Sequence, residues 1–173
     1  SKGGNMTTYG GENYTYNGHQ PDSTQNYLAK YDTNGNMTSK SVDGVNYNYQ
    51  YDTQNRLIAV HKNNSQTPEE TYIYDYLGRR LKKVNNSANR TITYISPGYE
   101  EMKEAGNVTT TKYVMGPTGT TGSIAVLNNQ SVKVQYYHHD EVNSTTMVSD
   151  AAGNIITHLV FQPYGKLYAT ASF

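Results

Sequence analysis

Three similar stretches, "YDTNGNM" at 31–37, "YDTQNRL" at 51–57 and "YDYLGRRL" at 74–81, recur about one hairpin's length apart. Weaker echoes follow at Tyr94, Tyr113, Tyr137 and Phe161, so the spacing stays near 20–24 residues. A fixed period of this size marks a repeat architecture. Each period has room for two strands and two turns but not for a helix. No long segment repeats its apolar residues every 3.6 positions, while several alternate cleanly. In "VNYNYQYD", Val45, Tyr47, Tyr49 and Tyr51 point one way and Asn46, Asn48 and Gln50 the other. In "VKVQYYHHD", Val132, Val134, Tyr136 and His138 share a face.

The Tyr-Asp pair reads as the turn that ends such a strand. Tyr31, Tyr51 and Tyr74 close a strand, and Asp32, Asp52 and Asp75 follow with side chains able to accept from the backbone two residues on. Gly35, Asn55 and Gly78 then take the left-handed position that follows a type I turn. "DAAGNII" repeats this grammar through Asp150 and Gly153, with Ser149 in the tyrosine's place.

Composition fits a thin sheet. Leu, Ile, Val and Phe together fall below the roughly 20 % that warns of disorder, but that warning also needs high net charge, and here 14 basic residues balance 14 acidic ones. The 18 tyrosines supply area to bury and hydroxyls that need partners. Neutrality and the lack of a basic stripe argue against a nucleic-acid partner. Zero cysteines exclude disulfides and thiolate chemistry. No apolar run of about 18 residues is present to span a membrane. The chain opens on Ser1 rather than Met, which reads as a processed product or a fragment, with any targeting segment absent from it.

These readings predict an all-β fold of serial antiparallel hairpins with almost no helix, a curved sheet or ribbon. Residues 1–26 are expected as a loose edge hairpin ("TTYGGENYTY") followed by a loop ("GHQPDSTQ"). Residues 27–114 form the Tyr-Asp hairpins, 115–123 ("MGPTGTTGS") a flexible hinge, and 124–173 further hairpins.

Together the three Tyr-Asp stretches and "YYHHDEVNSTTMVSDAAGNIITHLVFQPYGKL" at 136–167 resemble the YD-repeat, or RHS, family, including the start of its RHS-associated core. The resemblance covers about residues 27–167. Asn143 stands where the family usually has Gly, and Phe161-Gln162 replaces the usual Tyr-Asp. In large members the resemblance implies a ribbon of hairpins wound into a hollow shell that can enclose a toxin, and teneurins use a related shell in cell adhesion. This chain is several times too short to enclose a folded payload alone, and the resemblance adds a small barrel-like shell segment to the expected forms.

Candidate chemistry is sparse. His138 and Asp140, two apart in a predicted strand, would share a face, and His158 is the best third metal ligand. The resemblance gives the duller reading, a turn signature. A triad of Ser144, His138 and Asp150 lacks a nucleophile elbow or oxyanion glycine. "GPTGTTG" lacks the Lys-Ser/Thr of a phosphate loop. No cofactor is implied, and no enzyme. Asn-x-Ser/Thr occurs at Asn5, Asn13, Asn36, Asn63, Asn85, Asn89, Asn107, Asn129 and Asn143, about twice the number this composition gives by chance. Polar turns explain that excess, or else a glycosylated surface does. Asn36 and Asn143 fall in turns where a glycan would be accommodated.

The leading expectation is a non-enzymatic extracellular or cell-surface scaffold that pairs with itself or with further shell segments through free strand edges. A carbohydrate-binding module using Tyr47, Tyr49 and Tyr51, and a shell fragment of a toxin-delivery protein, are the alternatives.

Overall fold

The computed structural model describes residues 5, 7–9, 12–24, 27–117, 119–161, 165 and 167–172. The fold is all-β. It divides into two units, residues 1–89 and 90–173.

In the first unit a short pair, β1 (Thr8–Tyr9) and β2 (Glu12–Asn13), precedes an antiparallel meander. Its strands are β3 (Thr15–Asn17), β4 (Gln20–Ser23), β5 (Tyr27–Tyr31), β6 (Met37–Val42), β7 (Val45–Tyr51), β8 (Leu57–Lys62), β9 (Glu70–Tyr74) and β10 (Arg80–Asn85). Each pairs with the next in chain order. The second unit is a meander of β11 (Arg90–Ser96), β12 (Tyr99–Glu104), β13 (Asn107–Gly116), β14 (Gly119–Leu127), β15 (Ser131–His139), β16 (Thr145–Asp150), β17 (Ile155–Phe161) and β18 (Leu167–Ser172). The recurring tyrosines mark every second strand: Tyr31, Tyr51 and Tyr74 lie on β5, β7 and β9, and Tyr94, Tyr113 and Tyr137 on β11, β13 and β15. One period is one hairpin.

Two stretches differ from expectation. Residues 20–23, read as loop, form β4; the Gly18-His19 turn (φ of Gly18 +64°) reverses the chain, and Pro21 is tolerated because the register slips between Thr15 and Tyr16. Of residues 115–123, read as a hinge, 115–116 and 119–123 are paired strand: Val114 faces Gly122, Met115 faces Thr120 and Gly116 faces Gly119. The glycines there serve close approach rather than flexibility. A Cβ on Gly122 would sit 2.6 Å from the Gln135 carbonyl oxygen of β15.

Interior is minimal. Among the described residues only Ala29 (2 % exposed) and Ala59 are buried apolar side chains, and Ser123 and Ser149 are buried polar ones. Small residues are what the sheet has room for beneath larger neighbours. The Tyr137 hydroxyl is 2.7 Å from Ser123 Oγ, and His138 Nε2 lies 2.9 Å from Ser149 Oγ. With so little core, strand ladders and turns carry most of the order.

Candidate functional site

The most constructed feature of the molecule is the set of turns that follow the Tyr-Asp pairs. In the first, Asp32 Oδ1 accepts from the Asn34 and Asn36 amides (3.0 and 2.8 Å), and Oδ2 accepts from Asn36 Nδ2 (2.9 Å). The Gly35 amide donates to the Asp32 carbonyl at 3.1 Å, and the Asp32 amide donates to the Asn36 carbonyl at 2.9 Å. One carboxylate thus satisfies the donors that a five-residue reversal would otherwise leave to water.

The same pattern is built on Asp52, with Gln54 and Arg56 amides on Oδ1 and Arg56 Nε on Oδ2 at 2.6 Å. It recurs on Asp75, with Leu77, Arg79 and Arg79 Nε, and on Asp150, with Ala152, Asn154 and Asn154 Nδ2. The left-handed residues are Gly35, Asn55, Gly78 and Gly153 (φ +87°, +60°, +82° and +85°). Each turn is followed by a slipped register in which one residue of the return strand bulges.

A fifth copy stands at Asp140, where the resemblance had implied a turn signature. Asp140 accepts from the Val142 and Ser144 amides (3.0 and 2.8 Å), and Asn143 takes the left-handed position at φ +69°. The signal was present as Asp-x-x-Asn, the grammar already seen at Asp52, but His139 stands where Tyr does elsewhere. This corrects the idea that His138 and Asp140 share a strand face: β15 ends at His139 and Asp140 heads the turn. His138 and His158 both face Met147 from opposite sides. No group of three or more His, Asp or Glu side chains among the described residues is placed to hold a metal. Asp150 is likewise committed to its own turn, while His138 meets Ser149 rather than Ser144.

In the first unit the turns are tied to one another. Asn55 Oδ1 accepts from Asn34 Nδ2 and Asn36 Nδ2 of the preceding turn (3.1 and 2.8 Å). Arg56 Nη1 reaches forward to the Asp75 carbonyl at 2.8 Å, and its guanidinium lies 5.1 Å from the Tyr74 ring centroid. Tyrosine hydroxyls add a second row of ties: Tyr31 donates to the Pro21 carbonyl, Tyr51 to Met37 and Tyr74 to Leu57, all at 2.8–2.9 Å. In the second unit Tyr113 donates to Glu100 Oε1. Burial, then that carboxylate, pushes the Tyr113 phenol up to about 12.

Asn55 separates two contributions. Asn55→Gly keeps the left-handed backbone and removes the tie, while Asn55→Ala removes both. Replacing it with Ala should cost about 1 kcal/mol more than Gly, the usual left-handed penalty. Urea unfolding midpoints of the two variants check this; equal midpoints would mean the backbone geometry at residue 55 is not under constraint.

The ladder also bears on the sequons. Asn36 Nδ2, the atom a glycan would occupy, is bonded to Asp32 and Asn55, so a glycan there would displace these bonds. Asn85 Nδ2 bonds Glu70 at 3.2 Å, and Asn5 Nδ2 the Gly18 carbonyl at 2.7 Å. Asn107 Oδ1 accepts from Asn128, Asn13 Oδ1 from Thr8 Oγ1, and the Asn46 amide bonds Asn63 Oδ1. Asn89 and Asn129 occupy left-handed turn positions. Secretion through a glycosylating host should leave Asn36 unmodified, which peptide mass mapping reads; full occupancy would contradict the ladder.

The Teneurin YD-shell family profile matches residues 4–172, and the chain belongs to that family. It is 29 % identical over 138 residues to the tRNA3(Ser)-specific nuclease WapA of Bacillus spizizenii, covering 79 % of this chain and 6 % of the nuclease. It is 26 % identical over 172 residues to double-stranded DNA deaminase toxin A of Burkholderia cenocepacia, covering 84 % of this chain and 12 % of the toxin. In fold it resembles the TcdB2-TccC3 crystal structure (TM-score 0.59, 19 % identity, 93 % of this chain and 10 % of that one). A Photorhabdus luminescens Tc holotoxin pore gives a TM-score of 0.58 at 17 % identity, over 84 % of this chain and 10 % of that one. The chain therefore spans only about a tenth of the length of the relatives it matches.

Proposed function

We propose that this chain is a wall panel of a YD shell, a structural piece of a toxin-delivery protein that performs no chemistry itself. The observation carrying the reading is the turn ladder. Its carboxylates are spent on amides and side chains of their own turns, and Asn55 and Arg56 tie neighbouring turns together, which builds a regular hairpin edge and leaves no acid, base or nucleophile of these turns poised for a substrate. Support comes from the shell family and from much longer relatives, one named as a tRNA nuclease and one as a DNA deaminase toxin. On this reading the partners are further shell segments that continue the meanders, since an unpaired edge strand accepts another. The site of action is extracellular or at a cell surface. No helix among the described residues is long and apolar enough to cross a membrane.

The sugar-stacking alternative draws no support from the tyrosine row. Tyr47, Tyr49 and Tyr51 are half-buried, Lys40 lies 5.3 Å over the Tyr47 ring, and the Tyr51 hydroxyl is bonded.

The names of the relatives supply the test. The purified 173-residue chain is incubated with tRNA and with double-stranded DNA, and neither cleavage nor deamination is expected. Turnover of either substrate, abolished by substitutions within residues 1–173, would overturn the reading.

A further inference from the structure

The five Asp turns are an internal comparison of what such a turn requires at its tip. The two residues after Asp are Thr33-Asn34, Thr53-Gln54, Glu141-Val142 and Ala151-Ala152 in four of them. In the fifth they are Tyr76-Leu77, 86 % and 63 % exposed, two large apolar side chains where the Asp140 turn has one, Val142 at 81 %. The turn does not need them: the Asp75 carboxylate bonds the backbone amide of Leu77, not its side chain, as it does at every sister position. Nor do they pack at these exposures. The surrounding hairpin continues the anomaly. Ile73 and Leu81 are also exposed, and Lys82 lies opposite Ile73. Arg79 projects with 64 % of its side chain exposed, and Arg80 beside it is exposed.

We propose that the tip of the β9–β10 hairpin docks onto an anionic phospholipid surface, with Tyr76 and Leu77 entering the headgroup layer and Arg79, Arg80 and Lys82 meeting lipid phosphates and carboxylates. Charge complementarity selects this partner. Two large apolar side chains at an exposed tip gain from leaving water, and tyrosine is suited to an interface with one apolar and one wet side. Arg79 and Arg80 flank the tip, with Arg79 paired to Asp75 and Arg80 over the Tyr72 ring, and half-buried Lys82 follows on β10, whereas the tip's one carboxylate, Asp75, is turned inward to the loop amides and Arg79. Apolar insertion plus flanking cations is the combination that holds peripheral proteins on anionic membranes. Glu69 and Glu70 lie at the far end of β9, where Ser87 Oγ donates to Glu69 and Lys83 pairs with Glu70. The inference goes beyond the wall-panel reading and does not depend on it.

The chain has no tryptophan, so Tyr76→Trp places a single fluorophore at the tip. Vesicles of phosphatidylcholine with about 30 % phosphatidylserine should shift its emission to the blue, and vesicles of phosphatidylcholine alone far less. Co-sedimentation should fall about tenfold or more in Tyr76→Thr/Leu77→Asn, which copies the first turn and keeps the Asp75 bonds. It should fall roughly fivefold for each cation removed in Arg80→Gln and Lys82→Gln. Unshifted emission from the introduced tryptophan, or undiminished binding by the Thr/Asn variant with native circular dichroism, overturns the proposal. Concentration-dependent self-association that this variant loses, without vesicle binding by the parent, also overturns it and assigns the tip to a protein partner.

Discussion

Gly122→Ala is expected to unfold most of the second unit, although it adds a single methyl group. The added Cβ would lie 2.6 Å from the Gln135 carbonyl oxygen, a backbone atom of the paired strand β15 that cannot rotate away. Relief requires β14 and β15 to separate at the Gly122–Tyr136 end of their ladder, beside the Ser123–Gln135 pair. A sheet with a substantial core could absorb that strain elsewhere. This one has Ser123 as its buried neighbour and little else. The loss should reach about 3 kcal/mol or more, in the range of severe overpacking. Gly98 supplies the control. A Cβ there meets the Tyr113 carbonyl at 3.4 Å, ordinary contact, so Gly98→Ala should change stability by roughly 0.5 kcal/mol or less. Denaturant midpoints for the two variants decide the matter, and equal midpoints would mean the β14–β15 approach is looser than described.

Acid is expected to dismantle the first unit before the second. The Asn36 side-chain amide, then the backbone amides, hold the Asp32 carboxyl below the ordinary range. The Arg56 amide and guanidinium do so for Asp52, and Asn154 does so for Asp150. At Asp75 and at Glu70 burial pushes the pKa up but is outweighed, by Arg79 and its amide in one case and by Lys83, Tyr72 and Asn85 in the other. All five bind protons more weakly folded than unfolded. Their stabilisation is therefore complete above the unfolded values of about 3.9 for Asp and 4.3 for Glu, and is lost as pH falls through the lower folded values. Four of the five, Asp32, Asp52, Glu70 and Asp75, belong to the first unit. Amide exchange at stepped pH should stay flat from about pH 5 to 7, then show β5–β10 losing protection below about pH 4 ahead of β13–β16. Simultaneous loss in both units, or protection that persists to about pH 2, would contradict the assignment of the ladder as the principal support.

Much of this architecture was readable because its signals are local. Asp-x-x-Gly or Asp-x-x-Asn names its own turn, and alternation in "VNYNYQY" names its own strand. What escaped depends on partners distant in sequence. The 115–123 stretch looked like a hinge because its glycines, read alone, suggest freedom, while the constraint on Gly122 comes from Gln135. Asp140 was drawn into a metal reading by its neighbour His138, because a strand was extended one residue too far. The ties from Asn55 to Asn34 and Asn36, and from Arg56 to the Asp75 carbonyl, had a faint signal: a polar side chain recurs at the fourth position after Asp, as Asn36, Arg56, Arg79, Ser144 and Asn154. That recurrence becomes a ladder only once successive hairpins lie side by side. The tip of the Asp75 turn shows the complementary lesson, since Tyr76 and Leu77 stand out only against four sister turns.

The most direct measurement is electron cryomicroscopy of the protein purified from its native source. A wall panel predicts a hollow particle in which the hairpins of residues 27–161 run side by side within a larger sheet, with further strands paired onto the panel's edges. A particle in which these strands end at solvated, unpaired edges around a solid interior would contradict it.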